Sequence, residues 1–183
     1  MISSNQPATN HQPNLLLSQK LLKIGVREIG IWRETVLHDE ALFEEIYHLI
    51  YSANPRLAWH AAWVIDHVSE ADPSRLAPYI SEIIDWLPYL KISSLKRHFT
   101  RMLLSQKIPE DRMGNLIDVL YDLLSPEEAI AVRANALQLL LNIALIEPGL
   151  KAELISVTES ILEEELTPGM ISKSQKVLLA LRH

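Results

Sequence analysis

Self-similarity at a spacing of about 37 residues is the feature that most restricts what this chain can fold into. Setting Leu57 on Val132 without a gap places Ala61 on Ala136, Val64 on Leu139, Ile65 on Leu140, Val68 on Ile143 and Pro73 on Pro148. Leu95 opens another copy between them, with Phe99, Met102 and Leu103 in the matching apolar places. A second series alternates with the first. Leu42, Tyr79, Leu116 and Leu154 are each followed by an apolar residue, namely Phe43, Ile80, Ile117 and Ile155. A unit this short cannot bury an apolar face alone, so the stacking of neighbours has to supply the core.

Within each copy the apolar residues recur three and four apart, the helical period. Long β-branched alternation and Asn-Gly or Asp-Gly hairpin turns are missing. Helices are therefore expected at 15–37 (broken around Gly25 or Gly30), 39–52, 56–70, 74–87, 91–106, 110–124, 127–145, 149–165 and 171–182. Asn54-Pro55, Asp72-Pro73, Ser125-Pro126 and Thr167-Pro168 each set a proline at or just before a helix start, where its missing N–H costs nothing. Ser125 and Glu128 have the spacing of a capping box. The expected organisation is one repeat domain over 15–183, preceded by a flexible polar tail at 1–14.

Composition removes several classes of function. The longest apolar runs, such as LLLNIALI at 139–146, are too short to span a membrane. The polar start has neither the basic nor the apolar stretch of a secretory signal, which makes the cytoplasm the expected location. With no cysteine there can be no disulfide, thiolate zinc site or thiol nucleophile. A net charge of −6 disfavours broad coating of nucleic acid, yet leaves room for a local basic patch.

The turn between paired helices carries a family resemblance. In SANPRLAWHAAWVIDHV (52–68) a small polar turn ending in Asn-Pro leads into Arg-Leu and paired alanines, and AIAVRANALQLL (129–140) contains Val-Arg followed by spaced alanines. Both resemble the HEAT repeat, in which a D-P-x-x-V-R turn precedes a helix with small residues where neighbours approach closely. The copies at 95–104 and 170–181 depart from it, lacking the Asp-Pro and Val-Arg elements. Over 39–182 the resemblance implies an all-α, right-handed α-solenoid of about four antiparallel helix pairs with an N-terminal capping helix. It also implies that the second helix of each pair faces the concave side.

Helical phase then selects candidate contact residues. On the helix from Arg56, the residues Leu57, Ala61, Val64, Ile65 and Val68 form the core stripe. Trp59, Trp63 and Asp66 fall on the opposite side, with Arg56, His60 and His67 at its edge. One repeat on, Arg97 and Arg101 match the two tryptophans and His98 matches His60; in the next, Ala134 and Gln138 take those places, beside Asn135 and Asn142. The candidate binding patch is thus Trp59, Trp63, Arg97, Arg101, His60 and His98, close enough across neighbouring helices for Arg–Trp stacking. Two readings stand side by side: an open patch for a partner, or tryptophans that cover the groove between helices beside merely solvated arginines.

HEAT-like alkylpurine DNA glycosylases show a distant, incomplete similarity, since they too place Trp, Asp and Arg on adjacent helices. Trp59 and Arg97 have suitable spacing, but Trp63 stands where that pattern has Asp, and Asp66 lies further along. No phosphate loop, nucleophile elbow or H-E-x-x-H helix occurs. His60 and His67 are seven apart with no carboxylate at i+4 from His60, so they do not easily share one metal, and Glu163-Glu164-Glu165 reads as a solvated face or helix end. Neither a metal nor a cofactor is expected. The expected function is a non-catalytic interaction or scaffold module for a protein or peptide, acidic or phosphorylated, with a nucleic-acid or DNA-repair role as the alternative. Its expected state is a monomer or weak homo-oligomer, because VLLAL (177–181) leaves the last repeat incompletely capped.

Overall fold

The computed structural model describes residues 14–164 and 167–183. Among them lie ten α-helices and no strand: α1 (Leu15–Leu21), α2 (Ile29–Leu37), α3 (Glu40–Leu49), α4 (Pro55–Ala71), α5 (Ile80–Trp86), α6 (Ser93–Leu103), α7 (Glu110–Asp122), α8 (Ile130–Ile146), α9 (Lys151–Glu164) and α10 (Pro168–Arg182). The expected tail at 1–14 falls outside the described residues except for Asn14, whose side chain accepts from the Leu17 N–H and caps α1.

Alternate helices form two layers. In one, α4 packs on α6, α6 on α8 and α8 on α10. In the other, α3 lies against α4, α7 against α8 and α5, and α9 against α10 and α8. At the N-terminal end α2 covers α3 and α4, and α1 rests on α4. The apolar period explains this arrangement directly. Leu57, Leu95, Val132 and Met170 are buried, as are Ala61, Phe99, Ala136 and Ser174 one turn later, and then Val64, Met102, Leu139 and Val177. The copy at 170–181, which lacks the turn motif, therefore keeps the core register. Packing depends on that register, not on the turn.

Local chemistry sets the ends. Asn54 accepts from the N–H groups of Arg56 and Leu57, and Pro55 opens α4 in the position where its missing donor is harmless. Asp39 caps α3 through the Leu42 N–H. The expected first helix is interrupted at Gly25, not Gly30: the Gly25 N–H donates to Glu28 Oε2 at 2.9 Å, and a Cβ there would meet that oxygen at 2.8 Å.

Two expected starts are displaced. The helix foreseen at 74–87 is α-helical only over Ile80–Trp86, preceded by 3₁₀ turns at Pro73–Arg75 and Ala77–Tyr79. Pro78 has no N–H to contribute to a continuous ladder. The capping box at Ser125 does not form, because Glu128 is turned away to pair with Lys96 of α6. Helix α8 then begins only at Ile130 with no side-chain cap.

Candidate functional site

The side chains singled out by helical phase lie on the adjacent helices α4 and α6, at different depths. Trp59 and Trp63 are four residues apart and so share a face of α4. Both are half-buried, and their rings lie parallel, 4° between planes and 6.1 Å between centroids. The expected Arg–Trp stacking is not formed: the tryptophans stack on each other. Arg97 is exposed, and its guanidinium has no hydrogen bond, ion pair or ring contact among the described residues. Only its backbone is engaged, through Asn135 Nδ2 donating to the Arg97 carbonyl at 3.2 Å.

His60 and His98, expected as contact residues, are instead buried, 3% and 7% exposed. His60 Nδ1 lies 2.6 Å from the Leu21 carbonyl; an oxygen of that kind only accepts, so Nδ1 carries the proton. His98 Nδ1 donates to Asp66 Oδ2 at 2.7 Å. Asp66, expected on the open side of α4, is only 1% exposed. The reason is the neighbouring helix. α6 lies over that flank of α4 and satisfies the carboxylate with His98 and with Arg101, whose Nε is 3.3 Å from Asp66 Oδ1. A second nitrogen of Arg101 reaches Glu70 at 2.5 Å, so this guanidinium is anchored where that of Arg97 is open. Asp66 is thereby sealed from any groove, unlike the open carboxylate that the glycosylase comparison calls for.

His60 and His98 belong to a recurring structural position. His60, His98, Asn135 and Lys173 occupy the same place in successive repeats, and each hydrogen-bonds back to the preceding helices. Their partners are Leu21 of α1, Asp66 of α4, Arg97 and Thr100 of α6, and Gln138 of α8. Polar groups buried between stacked helices must be paired, and this position does the pairing once per repeat. Burial pushes the His67 imidazole below its usual range; it lies against Trp63 and 3.7 Å from Glu70.

A polar cluster not foreseen from the sequence joins α3 to α5. The Tyr47 hydroxyl is 2.9 Å from that of Tyr51 and donates to Glu82 Oε2 at 3.1 Å, while Tyr79 donates to Glu44. Desolvation pushes the Tyr79 phenol up to about 12, with Glu44 adding to the shift, and raises Tyr47 and Tyr51 further. The i, i+4 spacing of Tyr47 and Tyr51 was a legible signal; their carboxylate partner, one repeat away, was not.

A cleft between the α7–α8 turn and α9 encloses about 220 Å³, lined by apolar Leu124, Pro126, Val157 and Ile161 with Arg133, Ser160 and Glu164. That is below the volume of roughly 300 Å³ at which ligand pockets begin. No three His, Asp or Glu side chains gather into a metal-binding set among the described residues. No helix there is long and apolar enough to cross a membrane.

A family model of the HEAT repeat domain matches residues 16–181. No curated protein and no solved structure matches the chain. The family match spans α1 to α10, the same stretch over which the core register repeats. The chain belongs to the HEAT repeat domain family.

Proposed function

We propose that this protein is a non-catalytic interaction scaffold that binds a protein or peptide partner on the face of the α4, α6, α8 and α10 layer. HEAT repeats commonly mediate protein interactions, and a stacked array offers a long continuous surface for it. The helices of this layer pack in unbroken succession, with small residues such as Ala58, Ala61, Ala62 and Ala136 buried among them. The layer whose helices approach most closely is the inner side of a curved stack. We therefore take it as the concave side of a right-handed solenoid of about four pairs, capped by α1 and α2. Cytoplasmic location and a monomeric or weakly self-associating state complete this reading.

The observation that carries the proposal is the stacked, half-buried Trp59–Trp63 pair on α4, with the exposed Arg97 at the matching register position of α6, the helix packed against it. Tryptophan and arginine are the residues most enriched in binding hot spots. The tryptophans supply apolar area that is half covered in the free protein, and Arg97 supplies a charge for a carboxylate or phosphate of the partner. Arg101 lies alongside with its charge already shared by Asp66 and Glu70, so it ranks behind Arg97. His98 and Asp66 tie α6 to α4 beneath this surface, and His60 ties α4 to α1.

Affinity capture from the native cell with the wild-type protein, a Trp63→Ala/Arg97→Ala variant and a Glu153→Ala control on α9 tests the reading. Partners should be retained by wild type and control and lost by the double variant. Equal capture by all three refutes the assignment of this face.

A further inference from the structure

The two layers carry opposite charge. Of the ionised side chains on α6, Lys96, Arg97 and Arg101 are all basic, and α10 likewise has only Lys173, Lys176 and Arg182. Helix α8 adds no acid and one base, Arg133, which is buried and donates to the Leu124 carbonyl; α4 sets Arg56 against Asp66 and Glu70, and both of those acids pair with Arg101 of α6. The facing layer is the reverse: α3 and α5 hold only acids among Asp, Glu, Lys and Arg, while α7 and α9 each set four acids against one base. An overall net charge of −6 thus conceals a polarised molecule.

Repeat register arranges the basic layer in rows. Trp63, Arg101, Gln138 and Lys176 form one row across α4, α6, α8 and α10, and Trp59, Arg97, Ala134 and Ser172 form the row beside it. Lys176, like Arg97, is exposed and has no ion pair among the described residues. An apolar anchor stands at one end, an open cation one helix away and another two helices beyond.

We propose that this layer receives an extended acidic segment of a partner protein, running across the helices from the tryptophan pair to Lys176; this rests on the interaction reading above. Neighbouring helix axes are about 8–10 Å apart, and an extended chain advances about 3.3 Å per residue. One helix step therefore corresponds to three partner residues. The segment places an apolar side chain on Trp59 and Trp63, a carboxylate three residues on at Arg97, uncharged residues over Ala134 and Gln138, and a further carboxylate about nine residues from the anchor at Lys176. The acidic layer on the other side repels the same segment, so charge selects the face as well as the ligand.

The test uses fluorescein-labelled peptides with one leucine anchor and glutamate at every third position, separated by serine, made in both chain directions. Controls replace each glutamate by glutamine. Expected results are binding at low salt that weakens as salt rises, and about tenfold weaker binding of the glutamine peptides. Arg97→Glu and Lys176→Glu should each weaken the glutamate peptide about fivefold, and Lys151→Glu on α9 should not. Trp63→Ala, checked for an unchanged thermal midpoint, should weaken both peptides. If glutamine and glutamate peptides bind equally and both depend on Trp63, the acidic partner is refuted while the interaction face stands. If neither peptide binds at low salt, the inference falls, and the capture experiment decides the broader reading separately. A twelve-nucleotide single strand that binds more tightly than the glutamate peptide overturns the inference in favour of nucleic acid.

Discussion

Removing the Asp66 carboxylate tests the view that the α4–α6 contact is held by a sealed polar cluster. Asp66 is 1% exposed and His98 7%, and their hydrogen bond is 2.7 Å long. A hydrogen bond to a charged group contributes about 1.5–3 kcal/mol, and its loss leaves the His98 donor buried without an acceptor. The Arg101 share is smaller. Its side chain is 30% exposed and keeps Glu70, so water and Glu70 replace most of what Asp66 supplied. Asp66→Ala should therefore cost about 2–3 kcal/mol, which for a domain of this size lowers the thermal midpoint by about 4–12 °C. His98→Ala should cost a comparable amount. The double variant should be less destabilised than the two losses added together, by about 1–2 kcal/mol, because the partners share one interaction. Circular dichroism melts and urea titrations of the four proteins give the cycle. Midpoints of both single variants within 1–2 °C of wild type, or strict additivity, would refute the sealed cluster.

Three further outcomes follow from the packing. Ala61 is fully buried, so Ala61→Asp puts an unpaired charge between close helices and should cost about 4 kcal/mol or more; a melting point near that of wild type would sink the register assigned to α4. Asn54→Ala removes the acceptor for two N–H groups of α4 and should cost about 1 kcal/mol in urea unfolding, with Asn54→Asp close to wild type. At alkaline pH the tyrosine cluster sets the trend. The Tyr79 pKa is raised to about 12, and those of Tyr47 and Tyr51 are raised more, above the ordinary phenol value near 10. Their stabilisation is complete below pH 10 and is lost as pH rises through the folded values, each phenol contributing up to about 1.4 kcal/mol per pH unit. Urea midpoints should fall between pH 10 and 11, and a flat profile there would refute the cluster.

Helix starts show where local reading succeeds and where it stops. Asn54-Pro55 caps α4 as its sequence implies, since donor and acceptors lie within three residues of each other. Ser125 and Glu128 have equally good spacing, yet Lys96 claims Glu128, and a partner more than thirty residues away cannot be seen in a four-residue motif. Helix α5 is short for a reason that was visible, Pro78, although the earlier Asp72-Pro73 was read as its start.

What the sequence determined by itself is therefore whatever depends on a helix and its own period: the all-helical class, the repeat, the buried stripe from Leu57 through Leu95 to Val132, and the shared face of Trp59 and Trp63. Only the tertiary structure decided the flanks. Helical phase gives the direction of a side chain about its own axis, and says nothing of how far the next helix in the stack overlaps that direction. For this reason Asp66, His60 and His98 read as open neighbours of the tryptophans but are buried against α6, α1 and α4 respectively, while Arg97, one residue before His98 on α6, stays in solvent. The same stacking sorted a chain of modest net charge into one basic and one acidic layer, because the two helices of each repeat, alternating in sequence, are separated in space.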